Sequence, residues 1–124
     1  MNVKIDQADK YFSYYIRLLQ GKCQRCGSLV VINLKTNLPA SHTVSHYFGR
    51  GRESTRFDIE NCDTLCMGCH RIWSSDDREG YRAFMIKKLG QRGFDSLMLR
   101  ANTTKKKDRK MELIRAKLLL KDMI

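Results

Sequence analysis

The stretch Ser45 to His70, SHYFGRGRESTRFDIENCDTLCMGCH, decides the reading of this chain. It closes on a CxxC pair, Cys66 and Cys69, and a second pair, Cys23 and Cys26, precedes it. A CxxC turn delivers two thiolates from one tight loop, and two such turns complete the tetrahedron that zinc prefers. Two pairs with matching spacing argue against a redox thiol pair or isolated buried cysteines. Cys23, Cys26, Cys66 and Cys69 are therefore expected to hold a structural Zn2+. Four thiolates leave no open position, so this metal braces the fold and a reaction needs a second ion. Cys62, left over, reads as a small buried hydrophobe.

The gap between Cys26 and Cys66 is too long for a bare loop, so structure must be inserted between the knuckles. Before it, Ala8, Phe12, Ile16 and Leu19 recur at helical spacing from Asp6 to Gln20, and Gly21 ends that helix. Ser28 to Ile32 is apolar and β-branched, and Lys35 to Pro39 is turn-like, which predicts a strand or hairpin. His42 to Phe48 reads as a second strand, with His42, Val44, His46 and Phe48 on one face. Gly49 to Thr55 is a polar, basic loop. The second knuckle opens into a helix near Cys69 to Trp73. Asp76 and Glu79 resemble a capping box for a helix carrying Tyr81, Phe84, Met85 and Leu89, and Gly90 stops it. A shorter helix is expected over Phe94 to Arg100 and a long one from Lys105 almost to the end. The partition is one domain over 1–124: an N-terminal helix (1–20), a zinc-braced core (21–75) and a basic helical extension (76–124).

Lys and Arg total 24 against 13 Asp and Glu, a formal net charge of +11. Such a surplus attracts polyanions, with nucleic acid first among them, although membranes and acidic proteins also attract basic charge. No run of about 18 apolar residues exists, and Lys4, Asp6, Asp9 and Lys10 interrupt the N-terminal stretch. Neither a spanning helix nor a signal peptide fits, so a soluble, cytoplasmic protein without membrane attachment is expected.

Within the quoted stretch, His46 is followed by Asn61 fifteen positions later and by His70 directly after the second CxxC. With both knuckles, this spacing resembles the HNH endonucleases, and the likeness covers Cys23 to His70. SHYFGRG, then TRFDIEN and CxxC, is similar more narrowly to the NinG/Rap group of phage recombination nucleases. YRAFMIKKLG, SLMLRA and the basic tail extend that likeness over most of the chain. The resemblance implies an α+β fold with a ββα-metal core on the zinc knuckle. It also implies cleavage of branched or recombination-intermediate DNA to 5′-phosphate and 3′-hydroxyl ends, in the host cytoplasm if the chain is phage-encoded.

Phosphodiester hydrolysis needs a base to deprotonate water and a cation to stabilise charge on the phosphate and leaving oxygen. A neutral His suits the base, and the family pattern assigns that role to His46. Asn61 offers a carbonyl oxygen to Mg2+ or Mn2+; in the family it either ligates the metal or fixes the turn. For His70, coordination and helix capping are balanced on chemistry, and the family pattern favours coordination. Many HNH enzymes have Asp before the base, where this chain has Ser45, a poorer ligand. His42, on the same face as His46 if the strand is regular, is an auxiliary ligand, a phosphate contact or simply structural. Arg50, Arg52 and Arg56 are expected to clamp phosphate oxygens, Arg56 first, against the alternative of a solvated loop. Asp58 and Glu60 either take part or serve only to cap or to pair with an arginine.

In the tail, Lys106, Lys110, Lys117 and Lys121 fall in one helical arc flanked by Leu113, Leu120, Ile114 and Leu118. The lysines are consistent with phosphate contacts. The apolar flanks pack into the core or against a second chain, and a homodimer, inferred from the resemblance, would suit a two-armed substrate. The reading is a metal-dependent DNA endonuclease; its rivals are a non-catalytic zinc-containing DNA-binding module and an HNH nickase of ordinary duplex.

Overall fold

The computed structural model describes residues 4–123. Its first helix, α1 (Gln7–Gln20), opens on a reciprocal capping box: the Asp6 carboxylate accepts from Asp9 N and the Asp9 carboxylate accepts from Asp6 N. Gly21 closes it at φ 72°, donating its N–H to Arg17 O, a left-handed cap that any side chain would strain. Ala8, Phe12 and Ile16 line the buried face, as their spacing predicts.

Two antiparallel strands, β1 (Thr43–His46) and β2 (Cys62–Leu65), form the sheet, paired Ser45 to Asp63 and His46 to Cys62. The strands differ from those expected. Ser28 to Pro39 makes isolated bridges only, Lys22 with Leu29 and Ile32 with Pro39, and β1 begins after His42, whose φ of 68° breaks the extended run. The partner strand CDTL escaped the pattern because all four of its residues are buried, the acid included, so no alternation marks it.

A short helix, α2 (Met67–Arg71), follows β2 and runs into a π-helical turn over Ile72–Asp76. That turn moves the next cap from the expected Asp76 to Asp77, whose carboxylate accepts from Gly80 N. Helix α3 (Arg78–Ala101) breaks at Gly90, φ 75° and ψ 163°, where the sequence places a stop. Helix α4 (Arg109–Lys121) starts later than expected because Asp108 caps it, accepting from Lys110 N and Met111 N. Lys106 therefore lies in the connector and leaves the helical arc.

Side-chain alternation in the strands divides the core in two. On one face Val44 and Cys62 join Ala8, Phe12 and Ile16 of α1, Phe57, and Ala116 of α4. On the other, Tyr47 and Leu65 pack with Trp73, Tyr81, Met85, Phe94 and Leu97, Trp73 stacking on Tyr81 at 4.7 Å. Each such fully buried large side chain contributes about 1.5–3 kcal/mol. Of the two readings of the tail, α4 packs on α1 through Leu113 and Ala116, with Met111, Ile114 and Leu118 left exposed. Fold class is thus α+β, helices around a small sheet. Among the described residues no helix is long and apolar enough to cross a membrane.

Candidate functional site

The four paired cysteines converge, their sulfurs all within 4.8 Å of one another. Cys26 Sγ and Cys66 Sγ are 3.8 Å apart, the spacing that a tetrahedron of about 2.3 Å Zn–S bonds requires. The first knuckle is shaped by Gly27 at φ 79° and by its N–H donating to Cys23 O. Arg25 Nη1 approaches Cys69 Sγ at 3.5 Å, a cation set against the thiolate charge. The donor set and its geometry fit zinc. Cys62 is fully buried, and burial pushes its thiol well up, so it stays neutral as expected.

His46 lies on the α1 face of β1, half-buried, with Nε2 3.0 Å from Arg56 O. A carbonyl only accepts, so Nε2 carries the proton and Nδ1 keeps the lone pair. Burial, and then the charge of Arg50, lower its pKa to about 4. His70, on α2, is also half-buried and lowered by burial and by Arg50. Both imidazoles therefore stand within the electrostatic reach of one guanidinium and are neutral at pH 7.

Three expected ligands of a catalytic ion turn elsewhere. Asn61 is fully buried; Oδ1 accepts from Phe48 N, and Nδ2 donates to Phe48 O and Thr55 O. It fixes the loop after β1, which is the second of the roles that the resemblance allows. Ser45 faces the opposite side of the sheet from His46, and its Oγ donates to Tyr81 OH, whose own proton goes to Asp63. His42 precedes the strand and does not share the His46 face: Nε2 meets Ser28 Oγ at 3.0 Å, and Nδ1 meets Ser41 Oγ at 2.7 Å. Among the described residues, the four cysteines are the one group of three or more His, Cys, Asp or Glu able to hold a metal. A site for Mg2+ or Mn2+ built from protein ligands alone does not fit these residues.

The loop arginines separate into three roles. Arg56, expected to reach the scissile strand, is 3% exposed and committed to Asp9, with Nε to Oδ1 at 2.8 Å and Nη2 to Oδ2 at 2.5 Å. Nη2 also donates to Lys4 O. Burial opposes the Asp9 charge, but Arg56 outweighs it and holds the carboxyl at about 2. Arg52 caps the end of α3, donating to Asn102 Oδ1 and Ala101 O. Arg50 is the exception: its Nε is buried with no hydrogen-bond partner among the described residues. Asp58 and Glu60 do what the bland reading expects, pairing with Arg100 at 2.9 and 2.6 Å, while Asp58 also caps the turn Ile59–Asn61.

Lys110, Lys117 and Lys121 are exposed on α4, and Lys106 is exposed in the connector. Lys117 Nζ stands 5.1 Å from the Tyr11 ring centroid. Sequence reasoning missed Asp9, Asp63, Tyr81 and Lys88. Asp63, fully buried, accepts from Tyr81 OH at 3.0 Å and from Lys88 Nζ at 2.6 Å, pinning β2 to α3. No local pattern marks these pairs, which join residues far apart in the chain.

The family model for the bacteriophage lambda NinG protein matches residues 2–123. This chain belongs to the NinG family. The match takes in the zinc cluster, the His46 loop and both terminal helices, so all of the residues discussed above lie inside the NinG region. No curated protein and no solved structure matches the chain.

Proposed function

We propose that this NinG-family chain is an HNH-type DNA endonuclease that hydrolyses phosphodiesters, with branched or recombination-intermediate DNA as its substrate. One observation carries the reading: Arg56 O holds the His46 ring through Nε2, and the ring lies within electrostatic reach of Arg50, whose Nε has no hydrogen-bond partner among the described residues. His46 takes the proton from the attacking water at Nδ1. Arg56 acts as a positioning residue, because its carbonyl orients the ring while its own side chain is locked by Asp9. Arg50 holds the phosphate, for which a guanidinium is a matched donor. The negative charge of that phosphate opposes the effect of Arg50 on His46 and raises the imidazole pKa toward the working pH.

His70 is the one expected ligand left to hold a divalent ion, with phosphate oxygens and water supplying the remainder of its shell. When bound, such an ion stabilises charge on the phosphate and on the leaving oxygen. An imidazole suits Mn2+ or another transition ion better than Mg2+, which prefers oxygen. The exposed lysines of the tail add affinity that does not depend on base sequence. A homodimer, seated on the exposed Met111, Ile114 and Leu118, would suit a two-armed substrate.

A second reading has its own support: among the described residues the four cysteines are the one group of three or more His, Cys, Asp or Glu able to hold a metal, which fits a non-catalytic zinc module that binds DNA. Cleavage of a four-way junction, a flap and linear duplex, each with Mg2+ or Mn2+, separates the readings. Cutting of the junction or flap, abolished by His46→Ala, supports the endonuclease. Equal cutting of duplex supports a less selective nickase. Binding without cutting, unchanged by His46→Ala, supports the module.

A further inference from the structure

A cleft of about 500 Å³ runs along α1, with Lys10, Ser13, Tyr14, Arg17 and Arg50 among its lining residues. Two acids, Asp6 and Asp9, also border it; with Glu53 they share the two guanidiniums of Arg56 and Arg109, which leaves one carboxylate charge against the three cations Lys10, Arg17 and Arg50. Among the described residues, no carboxylate lies within ion-pair distance of Lys10, Arg17 or Arg50. The cleft therefore carries surplus positive charge. Arg17 spends its guanidinium on Ser41 O and on Ser13 O, which leaves Lys10 and Arg50 for a ligand.

Among the described residues the Arg50 guanidinium has no carboxylate partner and its Nε is buried without a hydrogen bond, a charge that the fold itself leaves uncompensated. Leaving a charged donor buried without an acceptor costs more than the roughly 1–3 kcal/mol of a neutral group, so an anionic acceptor is the natural complement. Beside it, Tyr14 presents an aromatic ring, braced by Arg17 over one face at 5.4 Å and by an edge-to-face contact with Tyr11 at 5.9 Å. An anion site next to an aromatic ring is the combination that takes a phosphate with its base. The cleft has the size of a single small-ligand site, room for one nucleotide.

We infer that this cleft binds one unpaired nucleotide, the one that carries the phosphate held by Arg50 at His46. Its phosphate sits on Arg50 and Lys10 and its base stacks on Tyr14. The place of that phosphate at His46 rests on the endonuclease reading; the cleft's demand for an unpaired base does not. It supplies a physical reason for branched DNA to be preferred, since a branch point offers unpaired nucleotides that duplex lacks.

The test uses the full zinc-loaded chain without added Mg2+ or Mn2+. One probe is a splayed duplex with 2-aminopurine in the unpaired arm next to the branch; the other is the same sequence fully paired. Wild type is expected to quench the splayed probe and to bind it about tenfold more tightly than the duplex, within the roughly 5- to 150-fold that one stacked base supplies. Tyr14→Phe keeps both effects. Tyr14→Ala loses the quench and brings the two affinities together, and Lys10→Ala, at an exposed position, weakens the splayed probe more than the duplex. A folded Tyr14→Ala that keeps the quench and the preference overturns the cleft, as does a Lys10→Ala that weakens both probes equally. If wild type cuts junctions with Mn2+ yet shows no preference for the splayed probe, the cleft fails and the endonuclease reading stands. If wild type binds neither probe, both fail.

Discussion

Replacing Arg56 by Met tests whether this arginine builds the site or touches DNA. Its guanidinium is buried, bonded twice to Asp9 and once to Lys4 O, and its removal leaves the buried Asp9 carboxylate with Arg109, at 3.7 Å, as its remaining cationic neighbour. Breaking a buried pair from one side costs about 3–5 kcal/mol. The Asp9 pKa, held at about 2 against an ordinary 3.8, corresponds to roughly 2 kcal/mol for the carboxylate's share. Against a total stability of about 5–15 kcal/mol for a domain of this kind, the loss is large. Urea denaturation of the zinc-loaded protein, followed by circular dichroism, measures it. The double variant Asp9→Leu with Arg56→Met removes both charges and is expected to recover most of the loss. DNA affinity measured against salt supplies the independent check. If the Arg56 guanidinium neutralises a phosphate, its removal lowers the slope of log K against log salt by about one, whereas a buried positioning residue leaves the slope of the folded fraction unchanged. A fully stable Arg56→Met with a reduced salt slope would refute the assignment.

Burial and Arg50 hold His46 at about 4 against an ordinary 6.5, so the unfolded chain binds that proton more readily than the folded one. Stability must then fall as pH drops from about 6.5 toward 4, by at most about 3 kcal/mol, and His46→Gln should flatten that part of the curve in pH-dependent denaturation. Stripping the metal, or Cys66→Ser, should abolish cooperative unfolding and release about one Zn2+ per chain to a colorimetric chelator, since structural zinc sites contribute folding energy directly; a metal-free protein with unchanged unfolding would contradict the knuckle. Asn61→Ala should cost on the order of 2–4 kcal/mol, because Phe48 N, Phe48 O and Thr55 O lose their partner; a loss under about 0.5 kcal/mol would return Asn61 to the role of an ion ligand. Lys88→Met strands Asp63 without its cation and should destabilise by about 3–5 kcal/mol, read by the same denaturation.

What could be read in the amino-acid order alone were features carried by local spacing. Each CxxC turn fixes two sulfurs near one point whatever the rest of the chain does, and α1 announces itself through Ala8, Phe12 and Ile16 and the glycine that ends it. Gly90 marks the break in α3 for the same reason, since its backbone conformation belongs to glycine. The direction of a polar side chain is a different kind of fact. Strand alternation turned Ser45 toward Tyr81 and His46 toward α1, and a left-handed residue removed His42 from their strand. Three arginines of one loop looked alike until the fold gave Arg56 to Asp9, Arg52 to the end of α3, and left the Arg50 Nε without a partner among the described residues. Those partners lie 47 and 50 positions away, and long-range pairing of charges depends on how the helices dock, a property that no short window of residues contains.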